Sequence, residues 1–237
     1  MSKAWKWVLG VVVGVAIAIP VGTYVFIHFI EGDAPAKLTL DSNGTKQGSG
    51  TATSAPATGA KTAGSWRPTG ASVVGYRIKE TLFGQSAEAA GRTNAVTGSM
   101  VIDGPSVASV DLVVDMKTVK SDRSQRDGQF QGRIMNTAKF PTATFKLTQP
   151  LVLSSVPTDN SVVSAQATGD LALHGVTKKV TFDLKAQRDG ANIKVNGSIP
   201  IVFADFQISN PSGGPATTED HGILEFLVVF EPSAAAA

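Results

Sequence analysis

Two hydrophobic patterns divide the chain. From Trp7 to Ile30, twenty-four consecutive residues contain no Asp, Glu, Lys or Arg. At 1.5 Å per residue, a helix of that length crosses a hydrocarbon core of roughly 30 Å. From Ser72 onward the pattern is alternation: apolar and polar residues exchange places for eight to ten positions, then a turn intervenes. Val110, Leu112, Val114 and Met116 share one face of a run whose other face holds Asp111, Val113 and Asp115. Ala143, Phe145 and Leu147 alternate with Thr142, Thr144, Lys146 and Thr148. Val180, Phe182, Leu184 and Ala186 alternate with Lys179, Thr181, Asp183 and Lys185, while Leu171 and Leu173 share a face with Ala165, Ala167 and Gly169.

The alternation predicts eight strands, at 72–80, 92–102, 108–118, 142–149, 162–173, 177–188, 191–201 and 222–231. Asp103-Gly104-Pro105, Pro157-Thr158-Asp159-Asn160, His174-Gly175 and Asp189-Gly190 supply turn chemistry between them. No βαβ rhythm is present, so the class is all-β with an antiparallel sheet, closed as a barrel or folded as a sandwich. The last run, Ile223 to Phe230, is apolar on both faces apart from Glu225, which predicts cover on both sides. Residues 119–141 break the alternation. Phe130, Ile134 and Met135 there have near-helical spacing, predicting one or two short helical turns at a barrel end.

The domain plan follows: a cytoplasmic N-terminus and transmembrane anchor (1–30), a tether (31–65), a β-barrel (66–231) and a tail (232–237). Lys3 and Lys6 precede the apolar run, and Glu31 and Asp33 follow it. The positive-inside rule then puts the N-terminus in the cytoplasm and the barrel outside a cell membrane. The alternative is a signal peptide cleaved near Ala36, at Ala34-Pro35-Ala36, although the run exceeds the usual signal core. His28 reads as an interfacial residue near the end of the span. Residues 31–65 hold Leu38 and Leu40 as their only large aliphatics, too little apolar surface to offset ordering, which predicts a flexible tether.

Charge narrows the function classes. The net charge is +2, with five Lys/Arg and three Asp/Glu in residues 1–65 and sixteen of each thereafter. A neutral body lacks the electrostatic footprint of a nucleic-acid binder. The absence of Cys excludes thiol catalysis, disulfides and lipid attachment at cysteine. No nucleophile elbow, zinc-binding helix motif or phosphate loop is present, which argues against a hydrolase. Glu219-Asp220-His221 has the residue types of a metal site. Alternation along a strand would bring at most Glu219 and His221 together, too few for a metal, so none is expected. The sequence leaves a homodimer open.

Several motifs carry a resemblance. Ser72-Val73-Val74-Gly75-Tyr76-Arg77-Ile78-Lys79 opens the body and Arg126-Asp127 precedes Phe130. Phe140-Pro141-Thr142-Ala143-Thr144-Phe145, Leu173-His174-Gly175-Val176-Thr177-Lys178 and Asp205-Phe206-Gln207-Ile208 follow in order. Together they resemble the YceI-like family across residues 66–231. The resemblance implies a lipocalin-like barrel, periplasmic or extracellular in a bacterial envelope, that binds a polyisoprenoid in its lumen without catalysis. Where that family commonly has histidines, this chain has Glu80 and Gln129.

On this reading the ligand is an elongated isoprenoid lipid or isoprenoid quinone, with no other cofactor, held for sequestration, transfer or sensing. The inward faces would supply the tail site: Tyr76, Ile78, Leu112, Val114, Phe145, Leu147, Leu173, Phe182, Leu184, Phe226 and Val228. Arg123, Arg126, Gln129 and His174 are the candidate head-group contacts, since guanidinium suits oxyanions. The competing readings are structural. The same apolar residues can fill a solid barrel in a ligand-free envelope module, Arg126 can pair with Asp127 to order the insert, and His174 can bond local backbone at its turn.

Overall fold

The computed structural model describes residues 34–41, 62–82, 84–153, 161–213 and 216–233. The apolar run 7–30 and most of the tether reading lie outside them. Among the described residues no helix is long and apolar enough to cross a membrane.

Among the described residues thirteen strands form one sheet: β1 (Gly64–Pro68), β2 (Val73–Leu82), β3 (Gln85–Thr93), β4 (Val96–Asp103), β5 (Ser106–Asp115), β6 (Lys120–Ser121), β7 (Thr142–Leu147), β8 (Leu151–Val152), β9 (Val162–Leu173), β10 (Val176–Asp189), β11 (Asn192–Val202), β12 (Ala216–Thr218) and β13 (His221–Pro232). Eight antiparallel staves make the wall, because β3 and β4 are one bent stave interrupted at Asn94-Ala95. Its first half pairs with β2 and its second half with β5. From β5 the wall continues through β7, β9, β10, β11 and β13 back to β2. The short β1 completes closure by pairing with both β4 and β13. A closed wall has no long open edge.

The β9–β10 hairpin runs in unbroken register from Val176 opposite Leu173 to Gln187 opposite Val162. Its turn needs two successive residues of positive φ, supplied by His174 (52°) and Gly175 (79°). Two strand boundaries differ from the sequence reading by three residues or more. The second stave begins at Gln85, not at residue 92, because Gln85–Gly91 carries small residues where an apolar face would show. Ala89 and Gly91 sit inward beside Ile78 and Tyr76, whose size they accommodate. The third stave stops at Asp115, whose carboxylate caps a 3-10 turn over Met116–Thr118 by accepting from the Lys117 N–H.

The irregular segment forms α1 (Ser124–Gln129) continued by a π-helical turn, Phe130–Ile134. It is tied to the wall where β6 pairs with Gly91 and Arg92 of β3. Phe130 stacks on Tyr76 at 5.0 Å and 12° between ring planes. The insert therefore caps one end of the barrel.

Outside the wall, residues 34–41 run as an extended strap over β13, β2, β3 and β11. The Pro35 and Ala36 carbonyls accept from the Arg77 and Arg92 guanidiniums, and the Leu38 carbonyl accepts from Asn196 Nδ2 at 3.0 Å. Leu40 and Leu38 cover Leu227, which is 0% exposed, and Val229. This explains the doubly apolar last strand: its inward residues face the lumen, and Leu227 and Val229 face the strap. Beneath the strap, Glu225 joins Arg77 (Nε–Oε2, 3.3 Å) and Arg92 (Nη2–Oε1, 2.7 Å), and Arg77 also reaches Glu88 at 2.9 Å.

Candidate functional site

Inward residues of all eight staves enclose a cavity of about 440 Å³, within the range of roughly 300–1,000 Å³ common for ligand pockets. All eleven residues proposed for the tail site line it. Alternation is the cause: once one residue of a stave faces inward, every second neighbour must follow. The rings of Phe145, Phe182 and Phe226 form an edge-to-face chain across β7, β10 and β13, with centroids 5.4 and 5.7 Å apart.

The barrel is not packed solid, and inward glycines account for much of this. A Cβ at Gly169 would lie 2.4 Å from the Phe145 ring, and one at Gly197 would lie 2.6 Å from the Phe226 ring. A Cβ at Gly91 would meet the Tyr76 ring at 2.5 Å. Each ring thus lies back against the wall in the space of a missing side chain instead of filling the centre.

The lining is polar at one end. Its charged and amide side chains, Glu80, Arg123, Gln125, Arg126 and Gln129, all come from the end of β2 and from the α1 insert. At this mouth the expected Arg126–Asp127 pair is not formed. Within α1 adjacent residues point about 100° apart, which turns Asp127 away from Arg126. Arg126 instead bonds Asp122, two residues before α1, and lies 3.8 Å from Glu80. Asp127 turns inward and accepts from Ser121 N–H (2.7 Å) and Oγ–H (2.8 Å). Arg123 approaches Asp122 at 3.8 Å, and Arg133 Nη2 donates to the Pro211 carbonyl at 3.1 Å, joining the insert to the loop before β12. Burial at the mouth pushes the Tyr76 phenol well above its ordinary value, with Arg126 opposing and Asp127 adding to the rise.

His174 does not line the cavity. Its Nδ1 lies 3.1 Å from the Phe206 carbonyl, and its ring meets Phe140 edge-on at 4.7 Å. The expected backbone partner is therefore not local to the turn but thirty-two residues away. The acidic cluster also differs from expectation. β13 begins at His221, so Glu219 and Asp220 precede the strand and escape its alternation. Both reach one imidazole, Glu219 Oε2 at 3.1 Å and Asp220 Oδ1 at 2.8 Å. The His221 hydrogen bond holds the exposed Asp220 carboxyl below the usual range.

Trp66 and Arg188 mark the far end. Trp66 of β1 is 1% exposed, and the Arg188 guanidinium lies 5.6 Å from its ring centre while donating to the Gly190 carbonyl at 2.9 Å. Sequence reasoning missed Gln125, Phe203 and Ile208 as lining residues. Gln125 carries no pattern of its own. Phe203 and Ile208 lie at and after a 3-10 turn (Phe203–Phe206) that breaks the alternation.

Comparison with known proteins places this geometry. The model of the YceI-like domain matches residues 68–230. A UPF0312 protein of Yersinia pestis (strain Pestoides F) is 32% identical over 145 residues, 56% of this chain and 70% of that protein. One of Pseudomonas aeruginosa (strain LESB58) is 34% identical over 150 residues, 60% and 72% of the two chains. Among solved structures, a polyisoprenoid binding domain from Saccharophagus degradans, implicated in plant cell wall breakdown, superposes with a TM-score of 0.57 at 16% identity. It covers 72% of this chain and 99% of its own. Burkholderia cenocepacia BcnA gives a TM-score of 0.53 at 18% identity, covering 68% and 98%. The closed barrel, its inward alternation and the match across residues 68–230 establish that this chain belongs to the YceI-like domain family.

Proposed function

We propose that the barrel binds an elongated isoprenoid lipid or isoprenoid quinone in its lumen, without catalysis, for sequestration, transfer or sensing at a cell envelope. The observation that carries this reading is the cavity itself: apolar along its length, with charged and amide groups gathered at one mouth. Burial of apolar chain contributes about 25 cal/mol per Å², so affinity grows with tail length. On this reading Arg123, Arg126 and Gln129, which line the mouth beside Glu80, would contact a polar head. The polyisoprenoid-binding Saccharophagus degradans domain shares the fold and supports the same ligand class.

The protein is further proposed to be held in a cell membrane by residues 7–30, with the barrel extracytoplasmic. The strap supports retention of the preceding segment. Cleavage after Ala36 would remove the Pro35 and Ala36 carbonyls, which accept from Arg77 and Arg92.

Native mass spectrometry of the full-length chain released from detergent tests the ligand. A mass excess matching an isoprenoid, displaced by an added isoprenoid quinone, is expected. A protein-only mass that stays unchanged on addition of such lipids would overturn the reading.

A further inference from the structure

The strap has a direction. Its contacts follow β13 in order: Pro35 and Ala36 lie at the level of Glu225 through Arg77 and Arg92, Leu38 at Asn196 opposite Leu227, and Leu40 at Leu227 and Val229. The strap therefore runs parallel to β13, and Ala34 points toward the end where that strand begins. This is the mouth end. The α1 insert, the β9–β10 turn and the loop before β12 gather there, and Trp66 and Arg188 lie at the opposite end.

The chain before the strap leaves little slack. Only Glu31, Gly32 and Asp33 separate the apolar run ending at Ile30 from Ala34, and the four Cα–Cα steps between them reach at most roughly 14 Å. From Glu225 back to His221 at the rim is four strand steps, about 13 Å. The rim thus lies within reach of Ile30. The far end of β13 at Pro232 is seven steps from Glu225 in the other direction, about 24 Å.

We infer that the strap of residues 34–41 docks the lumen mouth against a lipid bilayer, so that a hydrocarbon tail passes between membrane and lumen without crossing water. The inference rests on the proposed anchor and on the lumen as a lipid site. It replaces a tether of thirty-five residues (31–65) with an effective link of three, which confines the barrel to one orientation.

The absence of Cys makes the test direct, because one introduced thiol is the sole labelling position. Full-length Gly132→Cys (mouth end, exposed) and Asp103→Cys (far end, exposed) are each labelled with a fluorophore. Each is reconstituted in phosphatidylcholine liposomes containing a nitroxide-headgroup lipid. Quenching several-fold stronger at position 132 than at 103 is expected. A Gly-Ser insertion of about twenty residues between Asp33 and Ala34 is expected to erase the difference without disturbing the barrel. Equal quenching in the uninserted chain, or stronger quenching at 103, overturns the docked orientation. Persistence of the difference after insertion overturns the strap as its cause. If the chain does not associate with the liposomes, the anchor and this inference fall together. Isoprenoid retention on the same preparation, read by mass spectrometry, reports separately whether the lumen reading stands.

Discussion

The Phe226 ring occupies the space that a side chain at Gly197 would need. A Cβ there would lie 2.6 Å from Phe226 Cζ and 3.0 Å from the Asp183 carbonyl on the neighbouring strand. The ring can move into the lumen, but the backbone oxygen cannot. Gly197→Ala is therefore expected to push Phe226 toward the barrel axis and to destabilise the fold by about 1–3 kcal/mol. Urea unfolding measures the stability. Isoprenoid retention is expected to fall as the ring takes up cavity volume, and unchanged retention would show that the ligand does not pass this level.

Glu225 is the carboxylate shared by Arg77 and Arg92 beneath the strap. Arg77 is 4% exposed, so loss of its partner leaves a buried charge poorly compensated. Glu225→Gln is expected to cost about 3–5 kcal/mol. The measurement is a denaturant midpoint at constant slope. A loss under 1 kcal/mol would mean that Glu88 and the strap carbonyls are sufficient partners.

Tyr76 provides a pH signature. Burial raises its folded-state pKa above the ordinary 10.0, so the fold favours the neutral phenol. That contribution is complete below pH 10 and is lost as pH rises above 10 toward the folded value. Tyr76→Phe is expected to flatten the stability profile in that window. The chain has only two tyrosines, Tyr24 and Tyr76, so in protein beginning at Ala34 the tyrosinate absorbance reports Tyr76 alone. Its appearance near pH 10 in folded protein would contradict the burial.

Arg126 is partly exposed between Asp122 and Glu80 at the mouth, a setting in which ion pairs contribute about 0–1 kcal/mol. Arg126→Ala is expected to leave the melting temperature nearly unchanged and to weaken retention of a polar-headed isoprenoid more than that of an uncharged one of equal length. Equal effects on both ligands would assign the arginine a structural role.

Much of the wall was legible in sequence because alternation is a local property. β9 and β10 needed only the period-two pattern of Val162 to Ala186 and the His174-Gly175 turn to be read. The same pattern placed Tyr76, Leu112, Phe182 and Phe226 on the lumen face, since facing is decided residue by residue along a stave. The stretch Gln85–Gly91 was not legible. Its inward residues are Ala and Gly, and their smallness has meaning only beside Ile78 and Tyr76 on the next strand.

What the sequence determined by itself was the set of faces of its alternating strands, and where the alternation fails. Whether those faces enclose a space or fill it was decided by tertiary structure, because it depends on pairing distant residues, Phe145 with Gly169 and Phe226 with Gly197. The Arg126 pairing is a similar case, since the extended turn into α1, and not adjacency in sequence, brings Asp122 to its guanidinium. The strap is the clearest of these. Residues 34–41 cannot bury Leu38 and Leu40 against one another, and composition therefore reads them as unstructured. Only the assembled outer wall, with Leu227 and Val229 uncovered and Arg77, Arg92 and Asn196 holding free donors, gives that segment a surface on which to order.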